Sequence, residues 1–287
     1  NIEDRIWAKE IISKGFKIIY DPEASVYHHH GIHQSMDTAR CSNIVKILES
    51  MNFLDRDNFL QPSQQNIISL IPMRGMGGSL LNKNLIEYTI SDSLNSAHID
   101  ETFVLTDDKS ISSLSKKIGA KIPFLRDKKF SHENVKLEEV LKYSINKLES
   151  MEIYPDLVVI LQPTFPFRPS GLIDRLIEQL LSQGLDTVFP AMNHYGSLWG
   201  GSPNSLTRLD DGDIPRNVKV PSFIGIPGLA CVTHPNYLRD CVLYGDKVGI
   251  FELNNELSNF EVRETSDFKM AEPLFEYWLN SKNNEIS

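Results

Sequence analysis

From residue 66 onward, short apolar runs alternate with amphipathic segments, and this alternation restricts the possible fold more than any other feature of the sequence. Continuous apolar runs bounded by polar or turn-forming residues predict buried strands. These runs lie at 66–72, 101–106, 156–162 and 187–191. Strands that alternate with helices pair mostly in parallel, so we predict an α/β fold: a mostly parallel, twisted, Rossmann-like sheet with helices on both faces.

Helical periodicity marks the segments between these strands. The predicted helices span 85–95, 111–118, 135–151 and 171–183, and a short extra strand is predicted at 121–125. Ligands of open parallel sheets bind beyond the carboxyl ends of the strands. Residues that immediately follow each strand are therefore the first candidates for a functional site.

The first sixty residues show a different pattern, which predicts a small partial α/β segment. Its predicted elements are a helix, two short strands and a second helix, at 3–13, 16–20, 24–27 and 38–51. Residue 1 already lies inside an amphipathic pattern, so we expect the segment to continue something upstream. The stretch 55–65 is polar and contains a proline, which indicates a boundary between domains at 1–60 and 66–287.

Composition excludes several classes of function. The formal net charge is -9, whereas sequence-independent binding to nucleic acid requires a basic surface, so no nucleic-acid partner is predicted. No apolar run approaches the ~20 residues that span a membrane, and no signal peptide is recognisable at the start of the sequence. The three cysteines lack metal-binding spacing and are too few for a disulfide scaffold. They indicate reduced thiols in a cytoplasmic protein.

The first candidate site follows the strand at 66–72, in the loop 73–79 (MRGMGGS). Glycines let backbone N–H groups approach a phosphate closely. The guanidinium of Arg74 can donate paired hydrogen bonds to phosphate oxygens. An ordinary glycine-rich turn with a surface arginine explains the same residues, and the loop alone does not decide between the two.

Two further segments place polar residues where a ligand could bind. The segment 161–168 (LQPTFPFR) leaves an apolar strand, and the Gln162 amide could bind a base edge or a ribose; a rigid turn without a ligand is the alternative. The segment 261–268 (EVRETSDF) is rich in carboxylates, which are Mg²⁺ ligands in phosphoryl-transfer sites. Its alternative is a solvated acidic stretch that caps the final helix through Thr265 or Ser266.

Taken together and in order, these segments resemble the cytidylyltransferases that activate nonulosonic acids of the sialic, legionaminic and pseudaminic types with CTP. The matching segments are 71–78 (IPMRGMGG), 83–90 (KNLIEYTI), 105–108 (LTDD), Arg126, 161–168 (LQPTFPFR), 228–232 (GLACV) and 261–268 (EVRETSDF). The resemblance covers residues 66–287 and implies a Rossmann-like nucleotidyltransferase fold. It also implies a homodimer formed through the segment 198–223.

The resemblance assigns roles to individual residues. The implied reaction is attack of the sugar's anomeric hydroxyl on the α-phosphorus of CTP, with loss of pyrophosphate and with Mg²⁺ as cofactor. The implied catalytic residues are Arg74, Lys83 and Arg168, and the implied metal ligands are Glu261 and Glu264. The implied nucleotide-binding residues are Arg74, Gly75, Gly77, Gly78, Asn84, Asp107, Arg126, Gln162, Pro163 and Thr164.

The sequence departs from this family at three places. The family's lysine close after the glycines is absent, Phe165 replaces a serine, and Arg263 stands where the family has the second aspartate of a metal-binding pair. A guanidinium cannot bind a metal ion, so Glu264 could substitute, or Arg263 could pair with a phosphate. A domain that binds a nucleotide without turnover and a same-fold nucleotidyltransferase with another base or sugar therefore stay open as alternatives.

Residues 1–60 resemble the C-terminal end of a family-2 glycosyltransferase domain. The matching segments are 3–7 (EDRIW), 15–22 (GFKIIYDP) and 26–31 (VYHHHG). The resemblance implies that Asp4 and His28 are relics of an active site whose donor-binding half is absent from this sequence. It also implies a chain that joins sugar activation to sugar transfer in the synthesis of surface glycans.

Overall fold

The computed structural model describes residues 61–285, with side chains to 280, and residues 7–8, 10–12 and 14 of the N-terminal segment. Contacts divide the chain into two units, Asn1–Asp55 and Arg56–Ser287. Residues 7–8 and 10–12 are helical, within the helix predicted at 3–13. The two strands and the second helix predicted further along the N-terminal segment, and the residues Asp4 and His28, lie outside the described residues.

The larger unit alternates strands and helices as the sequence predicts. Its strands are β1 (Ile67–Pro72), β2 (Ser79–Leu80), β3 (Lys83–Asn84), β4 (Glu101–Leu105), β5 (Leu157–Ile160), β6 (Thr187–His194), β7 (Trp199–Ser202), β8 (Ser205–Arg208), β9 (Ser222–Gly225), β10 (Cys231–Thr233) and β11 (Val248–Leu253). Its helices are α1 (Leu85–Leu94), α2 (Lys109–Ile118), α3 (Leu137–Glu149), α4 (Leu172–Gln183), α5 (Pro235–Arg239) and α6 (Thr265–Glu285). Short 3₁₀ turns cover Pro62–Gln64, Lys128–Phe130 and Glu256–Asn259.

The central sheet is mostly parallel. Its strand order is β11-β6-β10-β5-β1-β4, and β9 pairs with β6. β1 lies between β4 and β5 and runs parallel to both. β10 is antiparallel to both of its neighbours, so β6 on its far side runs in the same direction as β5. The carboxyl ends of β1, β4, β5 and β6 consequently lie at one edge of the sheet.

Helices cover both faces of this sheet. Adjacent residues of a strand point to opposite faces, so alternate residues of β1 pack against different helices. Ile67 and Ile71 of β1 pack in one core cluster with residues of α1 and α4, such as Ile86 and Leu176. The intervening Ile68 and Leu70 belong to a second cluster with α3. Each fully buried aliphatic side chain stabilises the fold by ~1.5–3 kcal/mol, so the two-sided burial of β1 makes it a central contributor to the stability of the domain.

The last helix, α6, belongs to a third core cluster. Phe275 and Trp278 of α6 lie there with Leu80 of β2 and Phe167, and the Phe167 and Phe275 rings meet edge to face with centroids 5.4 Å apart. Val262, immediately before the helix, is buried in the same cluster. This packing brings the segment 261–264 to the sheet edge where β5 ends.

Two local features differ from the sequence predictions. The strand predicted at 121–125 is a single bridge between Lys121 and Phe103, since Pro123 lacks the N–H that a longer ladder requires. The loop after β1 contains an unexpected hairpin, β2–β3, whose turn residues Leu81 and Asn82 both have positive φ, at 49° and 63°. Within the described part of the chain, no helix has both the length and the apolar character needed to cross a membrane.

Candidate active site

The carboxyl ends of β1 and β5 border a cavity of about 680 Å³. Residues after β1 and β5, the segment that follows β4 and α2, and the residues around the start of α6 form its wall. The lining includes Arg74, Gly77, Gly78, Arg126, Phe130, His132, Gln162, Pro163, Thr164, Arg263, Thr265 and Phe268. Seven of the residues proposed from the sequence for nucleotide binding are thus at one place: Arg74, Gly77, Gly78, Arg126, Gln162, Pro163 and Thr164.

The loop after β1 needs its glycines for two separate reasons. Gly75 and Gly77 have φ of 61° and 62°, the left-handed region that disfavours residues with a Cβ. At Gly78, a Cβ would overlap the ring of Phe268 from α6. The loop can therefore lie against the start of α6 with its backbone at the cavity, although Gly75 itself is not part of the lining.

Asn84 fixes this loop from outside the cavity lining. Its Oδ1 accepts from the Ile86 N–H at 3.1 Å, and its own N–H donates to Glu87 Oε1 at 2.8 Å, which forms a capping box at the start of α1. Its Nδ2 donates to the carbonyl oxygen of Met76 at 2.6 Å. Asn84 thus joins the glycine loop to the helix that follows it, which is a positioning role.

Arg126 is the most buried cation of the cavity, with a relative exposure of 5%. Its Nη2 donates to the carbonyl oxygen of Met73 at 3.2 Å and lies 3.5 Å from Asp107 Oδ1, while its Nε donates to Ser131 Oγ at 3.2 Å. Burial lowers the pKa of Arg126, the Asp107 carboxylate partly opposes this, and the charge of Arg74 lowers it further. Asp107 therefore acts as the partner of Arg126 and is not itself part of the lining.

The electrostatic character of the lining is positive. Arg74, Arg126 and Arg263 all contribute to the wall, and the described lining contains no aspartate or glutamate. Arginine presents a planar set of N–H donors that matches phosphate and carboxylate oxygens. The wall therefore offers arginine donors to an anion, while the partner carboxylates of Arg126 and Arg263 lie outside the lining.

The turn after β5 holds Gln162 in the wall. The Gln162 N–H donates to the carbonyl oxygen of Gly228 at 2.9 Å, and the Val262 N–H donates to the carbonyl oxygen of Thr164 at 2.7 Å. These two bonds join the turn to the segments before β10 and before α6. Pro163 between them is buried, so the turn is rigid at the place where Gln162 lines the cavity.

Arg168, expected to be catalytic, lies behind this turn with a relative exposure of 1%. Its Nε donates to the Leu229 carbonyl oxygen at 2.6 Å, its Nη1 donates to Asp92 Oδ2 at 2.9 Å, and its Nη2 donates to the Gln162 carbonyl oxygen at 3.4 Å. Burial lowers the pKa of Arg168 and the Asp92 carboxylate opposes that shift. Its placement indicates that Arg168 positions the turn.

Lys83, the other residue expected to be catalytic besides Arg74, lies on the exposed strand β3. Its ammonium nitrogen lies 6.0 Å from the centroid of the Tyr88 ring. The structure does not bring Lys83 into the cavity wall.

The expected metal ligands lie beside the cavity. Glu261 Oε1 accepts from the Thr164 hydroxyl at 3.0 Å and pairs with Arg263 Nε at 2.7 Å. The backbone N–H groups of Arg263 and Glu264 both donate to Asp267 Oδ2, at 2.9 and 2.8 Å, and these bonds lower the pKa of Asp267. The cap predicted at Thr265 or Ser266 is therefore supplied by Asp267, which accepts the hydrogen bonds from these two backbone N–H groups. Over the described residues, no group of three or more His, Cys, Asp or Glu side chains could hold a metal ion.

Sequence analysis missed several residues of the wall. Phe130 and His132 follow Arg126 in an irregular segment, and Phe268 lies in the first turn of α6. An aromatic residue and a histidine a few positions after the predicted site residue Arg126 could have marked this segment as part of the cavity wall. Phe268 had no such signal, since its approach to Gly78 depends on the packing of α6.

A mostly parallel sheet whose central strands end at an arginine-lined cavity beside a glycine-rich loop defines an α/β protein with a candidate anion site at the carboxyl edge of its sheet. The sequence model of the family described as cytidylyltransferase matches residues 78–214. The chain is 31% identical over 223 residues to the CMP-N,N'-diacetyllegionaminic acid synthase of Legionella pneumophila, covering 73% of this chain and 96% of that protein. The chain therefore belongs to the cytidylyltransferase family, and it is an enzyme of that family.

Other comparisons agree with this assignment. The chain is 30% identical over 132 residues to a pseudaminic acid cytidylyltransferase of Campylobacter jejuni, covering 43% of this chain and 57% of that protein. A solved structure of CMP:2-keto-3-deoxy-manno-octonic acid synthetase complexed with CTP superposes with a TM-score of 0.54 at 14% identity, covering 74% of this chain and 99% of that chain. At that identity the structural match supports the fold.

Proposed function

We propose that this enzyme transfers CMP from CTP to a nonulosonic acid and releases pyrophosphate. The observation that carries the proposal is the convergence of Arg74, Arg126 and Arg263 on one cavity beside a glycine-rich loop. A triphosphate is the kind of multiply charged anion that such a wall stabilises. The similarity to the legionaminic acid synthase over almost its whole length supports the choice of nucleotide and of sugar class.

In this proposal the wall residues position and stabilise, and none of them forms a covalent bond with the substrate. Arg74, Arg126 and the loop backbone hold the phosphate oxygens, while Gln162 contacts the base or ribose. The anomeric oxygen of the sugar forms a new bond to the α-phosphorus, the bond from that phosphorus to the bridging oxygen breaks, and pyrophosphate leaves. The hydroxyl proton passes to solvent water as the oxygen attacks. Fixed cations stabilise the charge that develops on the phosphoryl oxygens and on the leaving group.

A second cavity of about 600 Å³ at the carboxyl end of β6 is our candidate for the sugar. Because β6 and β5 run in the same direction with β10 between them, this cavity lies at the same edge of the sheet, about 10 Å to the side of β5 by strand spacing. By the pairing register, β6 also extends about five residues further than β5, so its end lies roughly 16 Å beyond the level of Ile160. Its wall contains Arg216, whose guanidinium lies 4.8 Å from the centroid of the Tyr195 ring. We propose that Arg216 binds the carboxylate of the sugar.

A binding and turnover screen tests the proposed reaction. CTP, ATP, GTP and UTP are each titrated into the full chain and then incubated with a panel of nonulosonic acids, and products are identified by mass. We expect CTP to bind best and one acid to yield its CMP ester. The variant R216Q should raise the KM for the acid roughly tenfold or more while leaving the KM for CTP unchanged. Binding of CTP without any product would favour an inactive nucleotide-binding domain, and preference for another nucleotide would favour a different transferase.

We also propose that the enzyme forms a homodimer through the segment 198–223. This segment leaves several large apolar side chains 56–68% exposed: Leu206, Leu209, Val218 and Val220. Light scattering on the double variant V218K/V220K tests the proposal, with M151K as a control at another exposed apolar residue. A wild-type monomer at micromolar concentration, or a dimer that survives the double variant, would contradict it.

We also propose that the reaction takes place in the cytoplasm, because that is where its substrate CTP is found. The resemblance of residues 1–60 to the end of a family-2 glycosyltransferase extends the proposal to a chain that both activates and transfers sugars in surface-glycan synthesis. Loss of transfer, but not of CMP-sugar formation, on deleting residues 1–60 would support that extension.

A further inference from the structure

Arg263 occupies the place where the family resemblance implies a metal-binding carboxylate. A guanidinium has N–H donors and no lone pair to offer a metal ion. Its Nε lies 2.7 Å from Glu261 Oε1, so a cation bound at that oxygen would lie beside an existing positive charge. Glu264 belongs to no group of three potential metal ligands among the described residues, and its backbone N–H is turned to Asp267 Oδ2 at 2.8 Å. The residues present do not fit a protein-held metal pair.

Arg263 is nevertheless held in a defined position. Its backbone N–H donates to Asp267 Oδ2 at 2.9 Å, and the preceding Val262 is buried and donates its N–H to the Thr164 carbonyl oxygen at 2.7 Å. Glu261 joins the Arg263 guanidinium to the Thr164 hydroxyl. The side chain is still 68% exposed and lines the cavity. The carboxylate of Glu261 and the backbone bonds on either side thus restrict the positions that the Arg263 guanidinium can take at the edge of the cavity.

We propose that Arg263 contacts the phosphates of the nucleotide directly and supplies the positive charge that a metal ion held by this segment would otherwise supply. Glu261 is the positioning residue, since it fixes the guanidinium against the turn after β5. The inference rests on the proposed function, because it places a nucleotide triphosphate in this cavity. It predicts that the protein's affinity for the nucleotide depends little on a divalent cation.

Calorimetric titration of CTP into the full chain, once in EDTA and once in saturating Mg²⁺, tests the inference. We expect the wild-type Kd to differ by less than about threefold between the two conditions. R263Q should weaken binding in EDTA roughly 10- to 100-fold, the range for a lost hydrogen bond to a charged group. R263D should lose binding in EDTA and regain it in Mg²⁺, because it restores a pair of carboxylates.

E261Q should weaken CTP binding less than R263Q does, because it removes only the residue that positions the guanidinium. R175Q, on the exposed face of α4, is the matched control and is expected to bind CTP as wild type does.

The outcomes separate the inference from the proposed function. If wild type binds CTP only with Mg²⁺ and R263Q binds as tightly as wild type, the inference is wrong while the proposed function stands. If the folded wild-type protein binds CTP in neither condition, the proposed function is wrong and the inference falls with it. Circular dichroism verifies that each variant is folded. We expect the Arg263 variants to fold, because the side chain that they replace is exposed.

Discussion

The Nη2 atom of Arg126 lies 3.2 Å from the carbonyl oxygen of Met73 and so connects the segment after β4 to the first residue after β1. The same nitrogen lies 3.5 Å from Asp107 Oδ1. One buried guanidinium therefore satisfies backbone and carboxylate groups of two neighbouring strand ends while it lines the cavity. Site geometry and local stability depend on the same residue.

Replacing Arg126 with methionine should lower both stability and nucleotide affinity. The variant leaves the Met73 carbonyl and the Asp107 carboxylate without a partner, which costs roughly 1–3 kcal/mol. Urea unfolding measures that loss, and calorimetry should show CTP binding weakened about tenfold or more. R126K keeps the charge without the planar fork and should fall between R126M and wild type. Unchanged CTP affinity in folded R126M would remove Arg126 from the site.

Two substitutions at Asn84 should separate its capping role from its role in the loop. N84D keeps a side-chain oxygen for the Ile86 N–H but loses the Nδ2 donor to the Met76 carbonyl. N84A loses both, and the lost cap costs about 1 kcal/mol. We therefore expect N84D to unfold near the wild-type temperature but to bind CTP more weakly, and N84A to lose both properties. Wild-type affinity in N84D would show that the Met76 contact does not shape the loop.

The close approach of Gly78 to Phe268 predicts a compensating pair of variants. G78A places a Cβ where the ring lies, so either the loop or the start of α6 has to move. CTP affinity should fall in G78A and recover in large part in G78A/F268A, which removes the ring. A double-mutant cycle on binding measures this coupling. If the losses of CTP affinity in the two single variants simply add in the double variant, Gly78 and Phe268 are not coupled through a contact.

The fold follows from the sequence more completely than the site does. Local periodicity is sufficient to locate β1, β4 and β5 with their helices, because each element buries its own apolar face. The direction of β10 could not be predicted in the same way. Its three residues, Cys231–Thr233, show no sequence pattern that would reveal an antiparallel strand inserted between β5 and β6.

The site depends on contacts between distant parts of the sequence, and this limits prediction from motifs. Thr164 meets Glu261 across 97 positions, and Arg168 meets Asp92 across 76. Motif order indicated that the strand ends converge. It did not indicate that Arg168 would be buried behind the turn, and it offered Arg263 beside the phosphates only as one of two alternatives, since the position of each guanidinium depends on contacts with residues distant in sequence.

The Arg168–Asp92 pair should be a determinant of stability. Removing one partner of a buried ion pair leaves an uncompensated charge and costs roughly 3–5 kcal/mol. D92N takes the carboxylate away from the Arg168 guanidinium, whose side chain is 1% exposed, whereas R168M leaves behind Asp92, which is 28% exposed and can be solvated. R168M also frees the Leu229 carbonyl, so we expect D92N to be at least as destabilising as R168M. Denaturant unfolding checks the order. A stable R168M that binds CTP much more weakly would instead support direct participation of Arg168 in the reaction.

The ion-pair network beside the second cavity should make stability depend on acid pH. Hydrogen bonds from Arg208 and Lys219 hold the pKa of Asp210 well below its usual range. A carboxyl whose pKa is depressed in the folded state stabilises fully above its unfolded pKa of about 3.9, and that contribution is lost as the pH falls toward the folded value. Wild type should therefore be more stable than D210N near pH 6, with a difference that shrinks below about pH 4. The neighbouring exposed Asp211 gives the control D211N, for which a flat difference is expected; a flat difference for D210N would contradict the network.

Pyrophosphate release is the most direct test of the central claim. The full chain is incubated with CTP and each of several nonulosonic acids, beside R126M as the matched variant. The account predicts release with CTP and at least one acid, dependence on both substrates, and a large loss in R126M. Absence of release with every acid, from folded protein that binds CTP, would contradict the assignment of a CMP-transferring enzyme to this chain.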